Sequence, residues 1–445
     1  MSVFTAAPRP PAEMLLRGAH VLDPASGING PHDVLVRAGE IAELGLPGTL
    51  VAPAGAQTVD GEGKHLFPAF IDPHVHLRTP GQEHKEDLET GTRAAAAGGY
   101  CAVVAMANTD PMIDHPTLLR GLVLTASRDA RVPVGFMAAI SGGLRGEALT
   151  DMSELRDAGA VGFSDDGKPV VSAGLLRHAL RHQRLCGGML ALHEEDPTLS
   201  GSGVMHEGTV SVELGLAGIP SISESTMIAR DCQIAEAEGG RLHFQHLSAR
   251  RSVEALAEAR ARGVKVSGEA TPHHLLLTDE DVRTLDSSFK MNPPLRTQDD
   301  RRALIEALRD GTIELIATDH APHSRDEKNV PFEQAPMGTT GLESSFAVLY
   351  TELVLPGVIA LEVLLARLTA AAAMIELEPP AIVPGRPANA CLIDLSAQWR
   401  IGEAGYESRS ANCCFAGRDV YGRTLLTLAD GAVAFRERAF ALSAA

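Results

Sequence analysis

From Pro68 to His323 the chain repeats one pattern: a short, almost wholly apolar run, a turn, and a longer segment of mixed charge. Eight such runs close in AFIDPHVHL, AVVAMANT, VPVGFMAAIS, AVGFSDDG, MLALHEED, RLHFQHLS, VKVSGEATPHH and IELIATDHAPH. Continuous apolar runs of this length read as buried strands, and the stretches between them, such as GTRAAAAGG and SVEALAEARARG, read as helices. Strand and helix in alternation predict a parallel sheet. The 250 residues from His74 to His323 match the roughly 250 of a (β/α)8 barrel, with a doubly wound open sheet as the competing architecture. The polar positions decide between the two. His74, His76, Asn108, Asp166, His193, His246, Asp319 and His323 all sit where an apolar run ends. In a barrel those ends converge on one face, whereas an open sheet would string them along a line too long for one site. The expected fold class is therefore α/β: a (β/α)8 TIM barrel with a small β-sandwich domain built from both termini.

The two ends of the chain have a different texture. MLLRGAHVLD, HDVLVRAGEIAELG and TVDGEGKHLF follow one another as short β-type runs, and the texture returns in NACLIDL and LLTLADGAVAF, where Asp-Gly signals a tight hairpin. This predicts a flexible tail over residues 1–13, a small β-sandwich domain over 14–66 plus 384–438, and a barrel catalytic domain over 67–383. The apolar stretch from Phe346 to Leu377 is broken by Glu352, Pro356, Glu362 and Arg367, so it reads as soluble helices and not as a membrane span.

Composition narrows the function. The 445 residues carry 39 basic and 57 acidic side chains, a formal net charge of −18, which argues against nucleic acid or an anionic membrane as a partner. No apolar leader opens the chain, and the six cysteines form no C-x-x-C pair; both fit a cytoplasmic protein with reduced, buried thiols.

His-x-His at 74 and 76 is weak by itself, since 17 histidines give roughly 0.65 such pairs by chance. Placement strengthens it: alternate residues of a strand point the same way, so both imidazoles can face one point. His193 and His246 add two nitrogen donors, and Asp166 and Asp319 add two carboxylates. Nitrogen and carboxylate donors without thiolate suit zinc, with manganese, iron or cobalt as competitors. Six donors exceed what one tetrahedral ion uses, so two ions sharing a bridging carboxylate are expected. Asp165, adjacent in the same Asp-Asp-Gly, is the alternative to Asp166.

Together DPHVHLRTPG, MANTDP, FSDDG, HEEDP with HEG, QHLS, EATPHHLLL, KMNPPLR, ATDHAPH and APMGTTGLES resemble the bacterial dihydroorotases of the amidohydrolase superfamily, from about Pro68 to Ser345. The resemblance implies that His74, His76 and Asp319 hold one metal, His193 and His246 the other, and that Asp166 bridges them. It implies reversible cyclisation of N-carbamoyl-L-aspartate to L-dihydroorotate in pyrimidine biosynthesis, by metal-activated water with Asp319 as general acid and base. Arg78, Asn108 and His323 match residues that grip the substrate carboxylate, while Asn292 and the Met337-Gly338 backbone match those facing the pyrimidine edge. His273, His274, His206 and Lys85 match no ligand position and are expected to be structural or at the surface.

The chain departs from the family pattern in places. MANT stands for Met-Pro-Asn-Thr, RTPG for Arg-Glu-Pro-Gly and Met337 for a frequent Phe, Lys168 follows the proposed bridge, and the likeness thins after Leu368. Hydantoinases and allantoinases are the nearest rivals; they, and many dihydroorotases, bridge their metals with a carboxylated lysine on the fourth strand, where AVGFSDDG has none. An aspartate bridge resembles one branch of the dihydroorotases. A silent dihydroorotase-like subunit that supports aspartate transcarbamoylase is a rival of another class, and retention of all six proposed ligands argues against it. A homodimer is expected, with the transcarbamoylase as a candidate partner. Part of the segment His323 to Gly341 is expected to close over substrate as a lid.

Overall fold

A computed structural model describes residues 3–440 and 443–444. Eight strands form one parallel sheet: β1 (Phe70–Val75), β2 (Tyr100–Ala105), β3 (Val134–Ala138), β4 (Ala160–Ser164), β5 (Met189–Leu192), β6 (Leu242–Phe244), β7 (Val266–Ala270) and β8 (Leu315–Ile316). They hydrogen-bond in sequence order from β1 to β8. The circle closes through a parallel bridge between Val75 and His320, where the His76 amide donates to the His320 carbonyl at 2.9 Å. Nearly every strand residue is buried, so the barrel interior is a packed core, which also holds the polar side chains of Asp72, His243 and Glu269. Helices alternate with the strands, as in the segment Leu88–Ala97, whose first turn is held by a capping box between Asp87 and Thr90.

The terminal segments meet in a second, mixed sheet of nine strands, ordered 432–436, 419–429, 390–400, 65–68, 14–23, 28–37 and 40–45, with 57–60 and 443–444 attached at its side. Its own small core gathers Met14, Leu16, Val34, Val59, Leu66, Leu392 and Leu426. The Asp-Gly hairpin forms between residues 419–429 and 432–436; Asp430 at φ +50° and Gly431 at φ +71° supply the two left-handed positions that a tight two-residue turn requires.

The flexible tail expected over residues 1–13 needs correction where it is described, from residue 3; its first two residues lie outside the described residues. Thr5 and Val134 exchange backbone hydrogen bonds at 3.2 and 2.9 Å, the Ala7 amide donates to the Ala130 carbonyl at 2.9 Å, and Phe4 is buried. Gly135 makes this possible: a Cβ there would sit 2.7 Å from the Phe4 ring. Among the described residues no helix is long and apolar enough to cross a membrane, and the stretch 346–377 is broken into short helices.

Candidate active site

The rim of the barrel brings the six proposed donors together. His74 and His76, on alternate positions at the end of β1, both aim Nε2 at Asp319 Oδ1, at 3.5 and 3.0 Å. Asp166, just past β4, spreads its two oxygens. Oδ1 lies 3.5 Å from His74 Nε2, 3.4 Å from His246 Nε2 and 3.8 Å from His193 Nδ1, while Oδ2 lies 3.5 Å from His76 Nε2. His193 Nδ1 and His246 Nε2 are 3.0 Å apart. Asp165 points the other way: its Oδ1 accepts from the Ile140 and Ser141 amides at 2.7 and 3.0 Å, and its Oδ2 from the Ser141 hydroxyl. That carboxylate anchors the loop after β3, and Asp166 alone of the pair faces the cluster.

Several observations fit a divalent metal here. His74 Nε2 and Asp166 Oδ1 are buried without a hydrogen-bond partner, although they face one another. The donor separations bracket the roughly 3.3 Å edge of a tetrahedron with 2.0–2.1 Å bonds. Burial works against a charge on His74, yet Asp166, Glu269 and Asp319 outweigh it and raise its pKa well above the ordinary value. Burial likewise works against charge on Asp166 and Asp319, and the surrounding imidazoles, His74 first, hold both carboxyls well below the usual range. Surroundings that pull protons onto imidazoles while keeping carboxylates ionised also attract a cation.

Three of the four imidazoles, those of His74, His76 and His193, are held by a second partner, whereas His246 Nδ1 is buried without one. His74 Nδ1 contacts Glu269 Oε1 at 2.6 Å; the same carboxylate meets His243 Nε2 at 3.0 Å and accepts from the His246 amide at 3.1 Å. His76 Nδ1 faces Asn108 Oδ1 at 2.9 Å, while Asn108 Nδ2 donates to Asp166 Oδ2 at 3.2 Å. Asn108, read from sequence as a substrate contact, therefore also positions two of the donors. His193 Nε2 faces Glu195 Oε2 at 3.2 Å, and Asn292 Nδ2 donates to the same oxygen at 2.7 Å. Carboxylate partners behind metal-facing imidazoles are the usual means of fixing ring orientation. The sequence reading missed Glu269 and Glu195, although both lie inside the motifs EATPHH and HEED. Arg78, His246 and Asp319 all adopt left-handed backbone (φ +57°, +34° and +48°), a strain that clusters at this rim.

Beside the donors lies a cavity of about 230 Å³ lined by Arg78, Asn108, Asn292, His323, Met337 and Gly338 as well as by donor side chains. Arg78 Nε donates to the Pro322 carbonyl at 3.1 Å, and one terminal nitrogen lies 3.4 Å from His323 Nε2. Burial brings Arg78 down only to about 10, so it stays cationic at neutral pH. Burial and the Arg78 charge push His323 down to about 3, which keeps it neutral. The segment expected as a lid supplies Met337 and Gly338 to the wall and is held by one bond within itself and two to residues 287–290. Lys328 Nζ donates to the Pro336 carbonyl at 2.9 Å, Lys290 Nζ to the Glu333 carbonyl at 2.8 Å and the Ser287 hydroxyl to the Lys328 carbonyl at 2.6 Å. Of the four residues expected to be structural or at the surface, three have polar partners. His274 bridges Thr271 and the Pro293 carbonyl, His206 lies 3.2 Å from the buried Arg296, and Lys85 pairs with Glu327 at 3.0 Å. His273 is buried beside His274, and its Nε2 has no partner.

Comparison with known proteins bears on family and on fold. A family model described as Dihydro-orotase-like matches residues 63–252. The dihydroorotase of Anaeromyxobacter dehalogenans is 43% identical over 427 residues, covering 95% of this chain and 98% of that protein. The dihydroorotase of Geobacter metallireducens is 43% identical over 95% of this chain and 99% of its own. Among solved structures, the L-hydantoinase (dihydropyrimidinase) of Arthrobacter aurescens superposes with a TM-score of 0.84 at 23% identity over 95% of this chain and 96% of that one. The D-hydantoinase (dihydropyrimidinase) of a Thermus species gives 0.81 at 25% identity over 97% of each. The structural likeness is one of fold: a barrel joined to a sheet domain.

Proposed function

The chain belongs to the dihydroorotase family, and on that premise we propose that it interconverts N-carbamoyl-L-aspartate and L-dihydroorotate at the barrel rim. The observation that carries the choice of substrate is Arg78. Its guanidinium lines the cavity beside the donor cluster and, among the described residues, makes no ion pair. Such a cation calls for an anion, and the substrate carboxylate supplies one. A neutral hydantoin or allantoin would leave it unmatched.

Within this proposal His74, His76 and Asp319 would hold one zinc ion and His193 and His246 a second, with the Asp166 carboxylate available to both. The bound metal would lower the pKa of water from about 15.7 toward 7 and polarise the reacting carbonyl. The chain does the rest. Arg78, with Asn108 and neutral His323, docks the carboxylate, and Asn292 and the Met337-Gly338 backbone meet the ring edge, so the reacting carbonyl is held at the donor cluster. Asp319 Oδ2 makes no hydrogen bond among the described residues and is free to carry a proton. In ring opening it takes a proton from water and delivers it to the leaving ring nitrogen. In ring closure, as the carbamoyl nitrogen bonds to the carboxylate carbon, it takes a proton from that nitrogen and passes it to the departing oxygen, which leaves as hydroxide and is protonated by solvent to water. A cytoplasmic homodimer, with aspartate transcarbamoylase as a candidate partner, belongs to the same proposal; six free cysteines fit a reducing compartment.

The test compares substrates in the wild type and in Arg78→Met. The wild type should cyclise N-carbamoyl-L-aspartate and open dihydroorotate faster than hydantoin or allantoin. The variant should raise KM for N-carbamoyl-L-aspartate about 100-fold, as expected when one partner of a buried charge pair is removed. Preference for a neutral cyclic amide, or an unchanged KM, would overturn the assignment.

A further inference from the structure

The terminal sheet does not stay apart from the reaction site. The connection between its strands 390–400 and 419–429 leaves the sheet and runs along the barrel rim. There the Ser408 hydroxyl donates to the buried Glu86 carboxylate, Arg409 pairs with Asp87, and the Ser410 hydroxyl donates to the Lys85 carbonyl at 2.6 Å. Past these anchors the chain delivers Asn412, which is buried at 7% exposure. Its Oδ1 accepts from the His323 amide at 3.0 Å, and its Nδ2 donates to the Ala321 carbonyl at 3.1 Å and to the Gly338 carbonyl at 3.2 Å. The Asn412 carbonyl in turn accepts from the Thr340 amide at 3.1 Å and from the Thr339 hydroxyl at 3.0 Å. Ala321, His323 and Gly338 all line the cavity.

We propose that Asn412 is a positioning residue for substrate binding, a side chain from the terminal sheet that locks the His323 segment and the Gly338 segment in register across the cavity. The inference rests on the dihydroorotase reading of that cavity. Asparagine suits the position because the three contacts need an acceptor at one end and a two-hydrogen donor at the other. Aspartate would set an oxygen against the Ala321 and Gly338 carbonyls, and alanine would leave the buried His323 amide without a partner. None of the six donors touches Asn412, so the effect should fall on binding of substrate and not on capture of metal.

The experiment uses full-length, metal-loaded Asn412→Ala and Asn412→Asp with three readouts: kcat and KM, metal content, and amide hydrogen exchange. For Asn412→Ala, KM for N-carbamoyl-L-aspartate should rise about tenfold or more, with kcat within about threefold of the wild type and metal content unchanged. Exchange should accelerate at the His323 amide and over 338–340. Asn412→Asp keeps the acceptor, so it should leave His323 protected while loosening 338–340, and it decides the matter should the alanine variant not fold. Wild-type KM with wild-type protection in either variant would overturn the proposal. So would a parallel fall of kcat, metal content and melting temperature, which marks a merely structural role. A wild type inactive on both substrates, with exchange changed as described, would overturn the reading of the reaction and leave the positioning role standing.

Discussion

Asp33 in the terminal sheet and Asp166 at the barrel rim are both buried carboxylates, and their surroundings are opposite. Asp33 takes the Gly18 amide on one oxygen and the Gly48 amide on the other, at 2.9 and 2.8 Å. Asp23, in the same sheet, accepts from the Ala25 and Ile382 amides at 3.0 and 2.9 Å. These carboxylates stitch turns and loops together, and backbone donors satisfy them. Asp166 instead turns its oxygens toward four imidazoles and leaves Oδ1 without a hydrogen bond. Burial is common to both regions; the kind of partner separates a brace from a reactive centre. The rim also collects left-handed residues with side chains, Arg78, His246 and Asp319, a local cost that a purely structural rim would have no reason to keep.

Substitution of one carboxylate in each region sharpens the contrast most. Glu269→Gln disturbs the group that holds His74, His243 and the strained His246 backbone, so zinc affinity should weaken about 10- to 100-fold. Competition with a chromogenic chelator measures this directly. Asp33→Asn should leave that affinity unchanged and show itself only as a lower urea midpoint; equal effects of the two variants on zinc would break the comparison.

A smaller effect should appear in acid. His206 and His273 are pushed down to about 4 in the folded protein, by burial first and then by Arg296 for His206 and by neighbouring imidazoles, against the pull of Asp319, for His273. Between pH 6.5 and 4 the unfolded chain binds more protons than the folded one, so stability falls as pH drops through that window. At pH 5 each histidine should cost about 2 kcal/mol at most relative to neutral pH. Urea unfolding at pH 7.5 and 5.0 checks this, and His206→Gln should flatten the difference by its share.

The parts of this account visible in sequence are those set by local pattern. Apolar runs that end in His74, His76, Asp166, His193, His246 and Asp319 announce both the barrel strands and the rim chemistry, because strand direction carries each run's last polar residue to one face. The resemblance pointed to Asp166 with Asp165 as the alternative; the structure engages Asp165 with two amides and a hydroxyl of the loop after β3. Glu269 and Asn412 were invisible for another reason. Their partners lie 195 and 89 residues away, so no spacing rule reaches them. The tail at 3–13 looked loose because proline and alanine carry no periodic signal, yet Phe4 finds the space beside Gly135.

The most direct test counts metal. Equilibrium dialysis against zinc, with the bound metal counted by mass spectrometry, should find two ions per wild-type chain and no more than one in Asp166→Ala, together with loss of ring closure. A wild-type chain that binds no zinc, or an Asp166→Ala chain that still binds two and still turns over, would contradict the account.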